Sequence, residues 1–165
     1  MLPEIRTIVY ATDLSPRASE TFRYAMSLAH KYDAKIVLVY AVEPLPPMAR
    51  TLVSMYLPDG EAEDGIPAAT KDRLFADIRG ELQHVCQDEV CLDLGGHERV
   101  AEIVVREGRA AKVILAESAR VGADLVVIGA HGHSAVGELL LGSVSHTVAQ
   151  RCPVPVLIVR HPKPL

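Results

Sequence analysis

Apolar residues fall along this chain in two alternating rhythms. Short, almost unbroken apolar runs occur at Arg6 to Ala11 (RTIVYA), Lys35 to Val42 (KIVLVYAV), Val100 to Val105, Asp124 to Gly129 (DLVVIG) and Pro155 to Arg160 (PVLIVR). Runs with no polar face suit strands covered on both sides, as in a parallel sheet. Between them the period changes. Ala18, Phe22, Ala25 and Ala29 recur at helical spacing through about Lys31; Leu74, Ile78, Leu82 and Val85 do so between Thr70 and about Leu94. Ala111 to Val121 is a third amphipathic stretch, and a short fourth helix ends at Arg151. Ser15 is placed to cap the first helix with Pro16 in its first turn, and Gly95-Gly96 to stop the second. Five strands alternating with four helices predict an α/β fold: a parallel sheet with helices on both faces, joined by right-handed crossovers.

Residues 44 to 67 break both rhythms. Pro44, Pro46, Pro47, Pro58, Pro67, Gly60, Gly65 and an acidic patch predict an irregular excursion there, set into one domain spanning residues 1 to 165. No repeat of about 20 to 50 residues is present, which excludes a solenoid.

Charge narrows the function classes. The formal net charge is -4, so the overall field repels polyanions, and with no Trp, two Phe and five Tyr the chain lacks the aromatic stacking surface of single-strand binders. Nucleic acid is therefore an unsuitable partner. The longest purely apolar run, Ile36 to Val42, falls far short of the ~20 residues that cross a bilayer, which argues against a membrane partner. The opening residues do not read as a signal peptide, and three cysteines, Cys86, Cys91 and Cys152, are too sparse for a disulfide framework. A reducing cytoplasm is the expected location. The cysteines read as ordinary packed thiols rather than a redox pair.

In an open parallel sheet, ligands sit beyond the carboxyl ends of the strands where strand order reverses. Two loops meet that condition. One is Ala11-Thr12-Asp13 after the first strand; the other begins at Gly129-Ala130-His131-Gly132-His133 and runs to Gly142-Ser143-Val144-Ser145 at a helix start. Glycines allow close approach to a ligand, and a helix start offers free N–H groups and the positive dipole end. Singly, each glycine reads as a tight turn, Ser143 as a cap, Asp13 as a helix-entry residue and Val42 as core. Spaced as G-x2-G-x9-G-S directly after a buried strand, they form the parts of a phosphate cradle.

Competing motifs fail on detail. Gly137-x4-Gly142-Ser143 has the spacing of a Walker A loop but lacks its Lys, and Leu139-Leu140-Leu141 occupy the stretch that should wrap phosphates. His131-Gly132-His133 lacks supporting metal ligands nearby. Ser143 has no neighbouring base, so no catalytic residue is assigned.

The motif Gly129-x2-Gly132-x9-Gly142-Ser143, with Ala11-Thr12-Asp13 and Val42 at the ends of the first two strands, resembles the universal stress protein family, and within it the ATP-binding branch. The likeness runs over nearly the whole chain, with 44 to 67 the most divergent part. It implies the Rossmann-like adenine nucleotide alpha hydrolase-like fold, with strand order 3-2-1-4-5. By position, Asp13 and Val42, with their neighbours Ala11 and Thr12, would hold the adenine side. Gly129 and Gly132 would line ribose and phosphates, Gly142, Ser143, Val144 and Ser145 would bind phosphate oxygens, and Ile128 and His133 would count among the nucleotide-binding positions. His133 stands where members often carry Arg or Lys.

The function so implied is a nucleotide-dependent stress or signalling module holding ATP, with Mg2+ to neutralise the triphosphate. A slow ATPase or phosphoryl-transfer enzyme using Asp13, His133 or Glu138, and a nucleotide-free adaptor of the same fold, remain open. Residues 129 to 145 contain no Lys or Arg to stabilise phosphoryl transfer, which favours binding over turnover. The last strand, Pro155 to Val159, should lie at a sheet edge, and the resemblance implies a homodimer formed through it.

Overall fold

The computed structural model describes residues 1–56, 68–87, 96–131 and 141–160. Five strands, β1 (Thr7–Thr12), β2 (Lys35–Val42), β3 (Val100–Glu107), β4 (Leu125–Gly129) and β5 (Val156–Val159), form one all-parallel sheet in the order β3-β2-β1-β4-β5. The helices are α1 (Ala18–Tyr32), α2 (Pro47–Tyr56), α3 (Ala68–Cys86), the single-turn α4 (Gly96–Arg99), α5 (Ala110–Arg120) and α6 (Ser143–Arg151). The parallel sheet is the one expected from the alternating rhythms and its strand order the one the resemblance implies, while α2 and α4 add to the four helices expected.

Strand alternation sends side chains to two separate cores. Ile8, Tyr10, Ile36, Leu38 and Val127 face one side, where they pack with Phe22, Ala25, Met26 and Ala29 of α1 and with Leu82 and Cys86 of α3. Val9, Ala11, Val37, Val39, Val126 and Ile128 face the other, against Val113 and Ile114 of α5 and Val148 of α6. Each fully buried large side chain contributes roughly 1.5–3 kcal/mol. Apolarity on both faces is what the uninterrupted runs encode. Among the described residues, no helix is long and apolar enough to cross a membrane.

Local chemistry sets several boundaries differently from the expectation. The side chain of Ser15 does not cap α1: Asp13 Oδ1 accepts the Ser15 N–H at 3.0 Å and Thr12 Oγ1 accepts that of Leu14 at 3.2 Å. This side-chain-stabilised turn includes Leu14 in the left-handed region (φ 57°) and delays the helix to Ala18, whose N–H reaches Ser15 O at 2.9 Å. Tyr10 anchors that start by donating its hydroxyl to Ala18 O at 2.7 Å.

The expected irregular excursion over 44 to 67 is corrected at Pro47–Tyr56, which is helical. Proline at a first helical position forfeits only an N–H that has no intrahelical partner. The ladder starts immediately, with Arg50 N–H donating to Pro46 O at 3.0 Å. Residues 57–67 lie outside the described residues. The second long helix spans Ala68–Cys86, with Gln87 in a turn after it; the expected continuation to about Leu94 lies outside the described residues. Gly95 and Cys91 lie outside the described residues.

Candidate functional site

The strand order reverses at β1. From it the chain proceeds to β2 and β3 on one side, then crosses to β4 and β5 on the other. Ala11 of β1 lies beside Ile128 of β4, and Thr12 beside Tyr40 of β2, so the strand ends open on one rim of the sheet. Thr12, Asp13, Val42, Gly129 and the start of α6 all sit along it.

Hydrogen bonds join the end of β4 both to β5 and to the start of α6. Ala130 N–H donates to Val159 O at 2.8 Å, Gly142 N–H donates to Ala130 O at 2.9 Å, and the Ser145 hydroxyl stands 3.0 Å from both Gly129 O and Ala130 O. Gly142 earns its place by proximity: a Cβ there would lie 3.3 Å from Ala130 O. At Gly129 a Cβ would meet Thr21 Oγ1 of α1 at 3.4 Å.

Gly142 is the N-cap residue of α6 and no side chain caps the helix. The first intrahelical bond runs from His146 N–H to Gly142 O at 2.9 Å, leaving the amides of Ser143, Val144 and Ser145 ahead of it at the positive dipole end. Those donors suit an anion.

Side-chain burial sorts the expected site residues. Ala11 and Ile128 are buried in the α5/α6-side core and half-buried Val144 packs against it, so ligand contacts from these three would come through backbone. Val42 packs against the opposite core, and its carbonyl accepts Gly108 N–H at 2.9 Å. Ser143 is exposed, and Thr12 and Asp13 are half-buried. Gly132 and His133, with Glu138, lie outside the described residues.

Tyr40 and Ala130 join this constellation, though the motif did not single them out. Tyr40 shares a strand face with Val42, and its hydroxyl is held protonated above the ordinary tyrosine range by burial, then by the Asp13 carboxylate. Tyr10 is pushed up further, chiefly by burial. Tyrosines interrupting otherwise aliphatic strands were the available signal. Ala130, whose backbone N–H serves β5 and whose carbonyl serves α6, carries no such signal. Among the described residues no three His, Cys, Asp or Glu side chains gather to hold a metal ion.

Comparison with known proteins agrees with this architecture. The universal stress protein family matches residues 4–160. A universal stress protein of Thermus aquaticus, from the region 3′ of a QAH/OAS sulfhydrylase, is 33% identical over 157 residues, 94% of this chain and 98% of the relative. Among solved structures, MJ0577 of Methanocaldococcus jannaschii superimposes with a TM-score of 0.72 at 19% identity, over 97% of this chain and 99% of that one. A universal stress protein from Archaeoglobus fulgidus, solved in complex with dAMP, gives a TM-score of 0.57 at 19% identity over 95% and 98% of the two chains. These structural likenesses extend the fold. The family match and the Thermus relative go further: this chain belongs to the universal stress protein family.

Proposed function

We propose that the chain binds an adenine nucleotide, ATP with Mg2+, between the carboxyl ends of β1 and β4, and acts as a nucleotide-dependent stress or signalling module in the cytoplasm. The carrying observation is the start of α6, with three amides ahead of its first intrahelical bond, pinned beside Gly129 at the strand-order reversal. A relative of the same fold solved with dAMP supports the ligand class. Asp13 and Val42 would receive the adenine side, Gly129 the sugar, and the amides of Ser143, Val144 and Ser145 the phosphates. Gly132 and His133 are assigned to the same ligand by position in the motif.

Magnitudes permit this without a cationic side chain. Charge-assisted hydrogen bonds are worth roughly 1.5–3 kcal/mol each, so three or four with a buried base approach the ~8 kcal/mol of a micromolar complex. With no carboxylate cage among the described residues, Mg2+ would ride on phosphate oxygens and complete its shell with water. The absence of Lys and Arg from residues 129 to 145 favours binding over phosphoryl transfer. Uncharged β5 at the sheet edge supports a homodimer formed through that strand.

Isothermal titration with ATP and Mg2+ tests the reading. A saturable 1:1 isotherm with a dissociation constant on the order of micromolar is expected; no heat, with or without the divalent ion, would refute it.

A further inference from the structure

Ser145 faces the sheet from the first turn of α6 and is only 3% exposed. A hydroxyl buried to that degree needs acceptors. It has two, Gly129 O and Ala130 O, each at 3.0 Å. A serine hydroxyl carries one proton, and here that proton is shared between two carbonyls. It is not available to donate to a phosphate oxygen, and the lone pairs that remain would repel one.

What this hydroxyl holds is more informative than what it could bind. Gly129 ends β4, and Ala130 O also accepts the N–H of Gly142, the N-cap of α6. Ser145 thus closes a small ring of bonds joining the strand end, the residue after it and the first helical turn. The ring is tight enough that a Cβ on Gly142 would approach Ala130 O to 3.3 Å. The amides of Ser143 and Val144 depend on this ring for their direction.

We infer that Ser145 is a positioning residue: its hydroxyl fixes the first turn of α6 on the end of β4, so that the amides of residues 143 to 145 converge on an anionic tail. Its side chain touches no ligand atom. The inference rests on the nucleotide reading and sharpens it, because the aligned amides select nucleotides over nucleosides. Exposed Ser143, by contrast, keeps a hydroxyl able to reach a ligand directly.

The test compares Ser145→Ala, Ser145→Thr and Ser143→Ala with the parent protein by two measurements. Amide hydrogen exchange over residues 142 to 146 is followed without ligand, and ATP and adenosine affinities are measured calorimetrically. Ser145→Ala should speed exchange at least about fivefold without ligand and weaken ATP about tenfold, the scale of one lost hydrogen bond, while shifting adenosine less than about twofold. Ser145→Thr should return ATP affinity to within about threefold of the parent, and Ser143→Ala should leave ligand-free exchange unchanged. Weakened ATP with unchanged exchange in Ser145→Ala would make Ser145 a direct ligand and overturn the inference; so would equal weakening of ATP and adenosine. If the parent protein bound neither ligand, the nucleotide reading would fall by itself, and unchanged exchange in Ser145→Ala would still overturn the clamp.

Discussion

The two outer strands of the sheet offer neighbours the same kind of backbone edge, yet their side chains differ sharply. β3 carries Glu102, Arg106 and Glu107, each exposed. Lys71 of α3 lies 3.3 Å from Glu107, and Arg120 of α5 bonds Glu102 at 2.9 Å and also the carboxylate of Glu117. Glu117, 7% exposed, receives Arg106 Nε at 3.3 Å as well. These carboxylates, Glu117 first and then Glu102, raise the guanidinium pKa of Arg120. β5 is four residues of Val-Leu-Ile-Val without a charge. Charge along an edge discourages intermolecular strand pairing, and an uncharged edge invites it. One rim is thus guarded against association, and the other is the surface we assign to it.

The largest expected effect breaks β5 from within. Val159, 5% exposed, packs in the α1/α3-side core, and Val159→Asp would bury an unpaired carboxylate there. A loss of about 3–5 kcal/mol in urea unfolding is expected; a loss below about 1 kcal/mol would show that the end of β5 is not a packed part of the core.

The next effect separates the two rims. Leu157→Lys puts a charge on β5 and should convert a dimer to monomer in sedimentation. Ala101→Lys, on the already charged β3, should leave the sedimentation mass unchanged and stability within about 0.5 kcal/mol. A dimer surviving Leu157→Lys would remove β5 as the contact. The smallest effect sharpens the β3 side: Glu117→Gln keeps the shape but removes the charge shared by Arg106 and Arg120, with an expected loss of about 1 kcal/mol. An unchanged urea midpoint would mean that the network guards the edge without stabilising the fold.

Much of the fold was legible because burial on both sheet faces writes itself as unbroken apolar runs. The helix at Pro47–Tyr56 was not, since proline counts as a breaker unless its place in the first turn is known. At the site, glycine spacing located the rim and nominated Gly129, Gly142 and Ser143. It could not assign the work of Ser145, because direct ligation and clamping call for the same hydroxyl in the same place. Only the carbonyls at 3.0 Å distinguish them. Asp13 was legible as a helix-entry residue, but its turn, with Leu14 at φ 57°, depends on side-chain acceptors that spacing does not disclose.

The backbone of Ala130 ties the outermost strand to the start of α6. Its N–H is committed to Val159 and its oxygen to Gly142 and Ser145. The head of α6 and the outermost strand are thus hydrogen-bonded to the same residue, on either side of its Cα. Were a nucleotide seated on α6 and a second copy on β5, as proposed, one residue would stand between them.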